Sequence, residues 1–145
     1  MSESNSLQRY LSCFEGLRIA LVEDEPGVLR ALTLLLEALK CHVTPFNLPT
    51  NALSALTDEC NVDLILSDLR MPEISGAQLL RRLREQGVAV PFILMSGHAN
   101  SDEVDEAKKS GLQEFIAKPF TPAQLAQAIS RVLQGRLEKQ SLTMT

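Results

Sequence analysis

An open α/β sheet, with five parallel strands covered by helices on both faces, is the fold class that the sequence predicts. Three observations predict it. Five short apolar runs alternate with five stretches of helical periodicity, an order that parallel strands with right-handed crossovers satisfy. The first, third and fourth runs are near-continuously apolar, as strands buried on both faces must be. The second run holds Pro45 and the fifth is half polar, so both belong at edges, which fits the strand order 2-1-3-4-5.

Residues 1–16 are a polar arm or linker with scattered Leu7, Tyr10, Leu11 and Phe14, ahead of one folded unit over 17–135. Residues 17–22, LRIALV, form the first strand, followed at once by Glu23, Asp24 and Glu25. Pro26 suits a first helical turn, with the acids near the positive end of that helix. The helix, 26–40, lines Val28, Leu32, Leu35, Leu36 and Leu39 along one face and leaves Leu29 and Leu34 over. That surplus is either a docking surface or a pair of ordinary exposed leucines.

Residues 41–46 alternate as the edge strand, and a short helix over 50–60 leads into Val62, Leu64, Ile65 and Leu66. This third strand stops on Ser67 and Asp68, before the turn residues Pro72 and Gly76. The helix over 75–86 directs Leu79, Leu80 and Leu83 inward and Arg81, Arg82 and Arg84 mostly outward, with Gly87 as its C-cap. Residues 91–95, PFILM, make the fourth strand, ending on Ser96 and Gly97. The next helix, 100–110, has acids early and Lys108 and Lys109 late, which matches its dipole. Only Val104 and Ala107 anchor it, so it can shift at low cost. The last strand, 113–117, ends on Lys118 and Pro119, and Thr121 caps a closing helix to 134 before a polar tail over 136–145.

At 145 residues and a net charge of −4, the chain has the size of one domain and disperses its basic residues among acidic ones. That dispersal argues against a nucleic-acid partner. No apolar run reaches membrane-spanning length and residues 1–10 lack the apolar segment of a signal peptide, so a cytoplasmic location is expected. Cys13, Cys41 and Cys60 are odd in number and lack metal spacing; they are read as free thiols, the last two partly buried.

The strand ends carry the chemistry. In such a sheet ligands bind in the crevice at the carboxyl ends of the strands. The predicted order brings Glu23, Asp24 and Asp68 to one crevice, flanked by Ser96 and Lys118. Three crowded carboxylates stay ionised cheaply only if a cation joins them, which implies a hard divalent metal, with Mg²⁺ the natural choice. Each residue alone has a blander reading: Asp68 as a turn former, Lys118 as a surface lysine, Ser96 as a turn hydroxyl.

From the acidic pair, the Asp, the Met-Pro and Gly, the Ser with a small neighbour and the Lys-Pro, all in order, the chain resembles the receiver domains of two-component response regulators. The resemblance spans residues 17–134 and implies a flavodoxin-like doubly wound sheet. It implies that Asp68 is the phosphoacceptor, that Glu23 and Asp24 hold Mg²⁺ directly or through water, and that the backbone carbonyl of Arg70 completes the protein ligands. Ser96 and Lys118 would contact phosphoryl oxygens, Phe115 would be the aromatic switch, and the Lys118–Pro119 bond would be cis. Arg70 and His98 stand where side chains can shield the phosphoryl from water.

The chain would then be a signalling switch that catalyses its own phosphorylation and dephosphorylation. Its partners would be a histidine kinase or histidine phosphotransfer protein and a downstream protein target. It is either a stand-alone regulator or the receiver of a hybrid sensor kinase. Two other classes use similar parts. A Mg²⁺-dependent phosphohydrolase would turn over an external phosphate ester, but no cap domain or substrate pocket is evident. A flavodoxin-like cofactor binder needs a phosphate-cradling loop after the first strand, where Glu23, Asp24 and Glu25 repel phosphate unless a metal intervenes.

Overall fold

The computed structural model describes residues 14–97 and 102–143. Strands and helices alternate: β1 (Arg18–Val22), α1 (Pro26–Ala38), β2 (His42–Phe46), α2 (Pro49–Asp58), β3 (Leu64–Asp68), α3 (Gly76–Glu85), β4 (Phe92–Ser96), α4 (Asp102–Lys109), β5 (Glu114–Ala117) and α5 (Pro122–Thr143). All four strand pairings are parallel, in the order β2-β1-β3-β4-β5. The expected topology is therefore the observed one, and β3 and β4 are buried along their whole length.

Side chains of a strand alternate between faces, so the sheet divides the core in two. Ile19 and Leu21 of β1 pack with Leu36 and Ile129 on the α1–α5 face, while Ala20 and Val22 pack with Leu56 and Leu80 on the α2–α3–α4 face. Burying each large aliphatic side chain stabilises by about 1.5–3 kcal/mol, which fixes strand register because a one-residue slip reverses both faces. Pro45 sits where the edge allows it. His42 and Phe46 bond to the residues flanking β1 (His42 N–H to Leu17 O at 2.8 Å, Glu23 N–H to Phe46 O at 3.0 Å), so Pro45, one position out of phase, faces the open side.

Side-chain caps set the helix starts. Glu25 accepts hydrogen bonds from the N–H groups of Gly27 and Val28 and so opens α1. Ser75 and Gln78 form a reciprocal capping box at α3, and Thr121 and Gln124 do the same at α5, with bonds of 2.8 and 3.1 Å. Gly87 closes α3 with φ of 82°, a conformation that a Cβ would oppose. Gly76 is required for another reason. A Cβ there would collide with the carbonyl oxygen of Asp68 and lie 2.7 Å from Leu94 Cδ1, so only glycine lets α3 sit down on the end of β3.

Several expectations shift. Phe14, assigned to the arm, is wholly buried in the α1–α5 core; residues 1–13, Cys13 among them, lie outside the described residues. The closing helix continues past 134 to Thr143, through most of the segment read as a tail, because no proline or glycine after Gly135 interrupts it. Of the two surplus leucines, Leu29 packs partly against the core and Leu34 stays 58% exposed. Cys60 is exposed rather than partly buried, since α2 ends at Asp58 and leaves it in the connection to β3. Arg84 does not join the solvated face of Arg81 and Arg82. Its guanidinium donates to Val88 O at 2.8 Å and to Gly111 O and Gln113 Oε1 at 3.3 Å, tying α3 to the start of β5.

No helix among the described residues is long and apolar enough to cross a membrane. Gly76→Ala should destabilise the fold by about 1–3 kcal/mol, the range for overpacking, read as a lower urea midpoint at unchanged slope. Burial pushes the Cys41 thiol up to about 11. In a Cys13→Ser background at pH 8, a thiol reagent should modify Cys60 quickly and reach Cys41 only on unfolding.

Candidate functional site

The site lies at the carboxyl ends of β1, β3, β4 and β5, where backbone ladders run one residue beyond β1, β3 and β5. The N–H of Glu23 donates to Phe46 O, that of Leu69 to Met95 O at 2.9 Å, and that of Lys118 to Ser96 O at 2.8 Å. These bonds pin the first residues of three separate loops. A peptide in the cis form joins Lys118 to Pro119.

Glu23, Asp24 and Asp68 each present a carboxylate oxygen, and the three oxygens lie within 4.8 Å of one another. Glu23 is 2% exposed and Asp68 9%, so little water screens their repulsion. Lys118 reaches into this group. Its ammonium stands 3.1 Å from Glu23 Oε2 and 3.2 Å from Asp68 Oδ1. Ser96, 2% exposed, closes β4 one position beyond Met95, the residue paired with Asp68.

The electrostatics reflect this crowding. Burial, then the neighbouring Asp68 charge, raises the Glu23 carboxyl above its ordinary value, with Lys118 opposing both. For Lys118 burial works against the ammonium, yet Asp68 and Glu23 together outweigh it and the pKa is raised. A single ammonium serves two of three carboxylates, which leaves a net negative pocket built wholly of oxygen donors. That donor set fits a small divalent cation such as magnesium.

Not every residue singled out in the sequence joins the cluster. Glu23, Asp24, Asp68 and Lys118 converge, and Ser96 borders them. Glu25, the third acid of the loop, is used as the α1 cap. The Arg70 side chain is exposed and pairs with Glu103 of α4 at 3.5 Å. Phe115 is half-buried against the α2–α3–α4 core, and His98 lies outside the described residues. The sequence carries no signal for the direct Glu23–Lys118 contact, which joins the residues that follow β1 and β5.

Comparison with known proteins identifies the family. The model of the family described as response regulator receiver domain matches residues 19–130. The transcriptional regulatory protein FixJ of Rhizobium meliloti is 32% identical over 117 residues, 78% of this chain and 55% of FixJ. The C4-dicarboxylate transport transcriptional regulatory protein DctD of Pseudomonas aeruginosa is 31% identical over 88% of this chain but only 28% of its own length. The chain thus spans about half, or less, of these curated relatives. Among solved structures, the N-terminal part of FixJ superposes with a TM-score of 0.74 at 30% identity, covering 82% of this chain and 94% of that one. A receiver domain from Clostridium thermocellum gives 0.76 at 29% identity, over 83% and 96%. In fold, in the gathering of acids and lysine at the strand ends and in sequence, the chain belongs to the response regulator receiver domains of two-component signalling.

Proposed function

We propose that this domain accepts a phosphoryl group on Asp68 from the phosphohistidine of a histidine kinase or histidine phosphotransfer protein, and that the product switches contacts with a downstream protein. The observation that carries the reading is the position of Asp68, at the end of β3 with one oxygen 3.2 Å from the Lys118 ammonium and within 4.8 Å of two further carboxylates. Phosphoryl transfer has a loose transition state, so a protein mainly positions the group and neutralises its oxygens. In the reaction a carboxylate oxygen of Asp68 attacks phosphorus in line, the P–N bond to imidazole breaks as the O–P bond forms, and the imidazole leaves with its electron pair and takes a proton.

Lys118 holds its charge against the equatorial oxygens, and its raised pKa keeps it an ammonium throughout the physiological range. Asp24, Asp68 and Glu23, with the backbone carbonyl of Arg70, would hold Mg²⁺ directly or through water. When bound, the ion supplies charge neutralisation between those carboxylates and the incoming phosphoryl oxygens. The Ser96 hydroxyl is at hand to donate to the acyl phosphate. A charge-assisted bond of this kind is worth roughly 1.5–3 kcal/mol, enough to shift a two-state equilibrium roughly ten- to a hundredfold. Ser96 drawing inward leaves space for Phe115, so that α4, β5 and α5 form the readout face. Water then hydrolyses the acyl phosphate and returns the domain to rest, which makes it a self-resetting switch.

Incubation with a small phosphodonor and Mg²⁺ should give one acid-labile phosphoryl per chain in the wild type and none in Asp68→Asn. Labelling that persists in that variant overturns the assignment. Asp24 has repulsive neighbours in Glu23 and Asp68 and no ion pair with any described residue, so Asp24→Asn should raise the thermal midpoint of the metal-free protein by about 2–4 °C. The same variant should lose most of the further rise that millimolar Mg²⁺ gives the wild type, as followed by differential scanning calorimetry.

A further inference from the structure

We propose that Arg70 is a latch between the acceptor loop and α4: it holds Glu103 while Asp68 is unmodified and leaves it for the phosphoryl group once Asp68 carries one. The proposal rests on the phosphoacceptor reading above and adds the route by which that event reaches α4. Arg70 Nη2 stands 3.5 Å from Glu103 Oε1, with the two side chains 58% and 39% exposed. The backbone just before Arg70 is fixed through both polar groups of Leu69. Leu69 N–H donates to Met95 O, and Gly76 N–H returns to Leu69 O at 2.8 Å. Arg70 therefore stays two residues from Asp68 while its long side chain is free to swing.

The helix at the other end of the pair is weakly held. Of the eight residues of α4 only Val104 and Ala107 are buried. Its groove with α3 is lined by mostly polar side chains, Arg81, Glu106 and Glu103 itself among them, with Ala77 as the apolar member. An exposed ion pair contributes little in a well-packed element, but it weighs more in a helix with two buried side chains. A phosphoryl on Asp68 brings added negative charge and acceptor oxygens, and a guanidinium binds such oxygens in a bidentate manner that a lone carboxylate at 3.5 Å does not match. The exchange of partners frees Glu103 and loosens α4.

Amide hydrogen exchange of the full chain tests this. In the unmodified protein Arg70→Ala, which keeps the backbone carbonyl, and Glu103→Gln should each speed exchange in α4 about two- to fivefold, the range set by an exposed ion pair. The charge-swapped pair Arg70→Glu with Glu103→Arg should bring it back toward wild type. Mg²⁺ with beryllofluoride, a tetrahedral mimic of the phosphoryl, should speed α4 exchange in the wild type and add nothing in Arg70→Ala. Single variants that exchange like wild type, or a beryllofluoride response equal in wild type and Arg70→Ala, overturn the latch. Failure of the acceptor reading has a different signature. Beryllofluoride would then alter no amide around Asp68 in the wild type, and the release of Arg70 would fall with it.

Discussion

Three carboxylates within 4.8 Å of one another, two of them in nearly dry surroundings, are the constraint on which the rest of this molecule depends. Like charges at that separation repel strongly where water is scarce. The fold answers with one ammonium, threaded from the far strand to touch Glu23 and Asp68 at once. It can do so only because β3 separates β1 from β4 in the sheet, which sets the loops after β1, β3 and β5 around one crevice. The crossover topology is thus what brings residues 95 positions apart into contact.

The surroundings are stiff on one side of that crevice and soft on the other. Gly76 allows α3 to rest directly on the backbone of Asp68, and Arg84 ties the other end of α3 to the loop before β5. Among the described residues α4 buries only one valine and one alanine. A change of charge at Asp68 meets rigid packing toward α3 and yields toward α4. Direction of response is thereby a property of packing as well as of charge.

Much of this was legible in the sequence, for physical reasons. Continuous apolar runs at β1, β3 and β4 cannot tolerate an exposed face, and Pro45 cannot sit in a central strand, so burial separated the central strands from the edges. The strand ends then located Glu23, Asp24, Asp68, Ser96 and Lys118 without any side-chain geometry. What could not be read depends on tertiary packing. Arg84 looks like its neighbours Arg81 and Arg82 until the turn at Gly111 is brought beside it. Phe14 is one aromatic in a polar stretch until β1 and α5 form the cavity that it fills. The partition of three adjacent acids, two to the site and Glu25 to the α1 cap, is decided by where the helix begins, a boundary that pattern locates only to within a few residues.

Pro45 has a consequence beyond its strand. Its ring nitrogen occupies a place where an N–H would point away from β1, so the free margin of the sheet presents an interrupted row of donors. A foreign strand laid alongside would lose a rung of its ladder at that point. The margin is thereby guarded against sheet-to-sheet polymerisation.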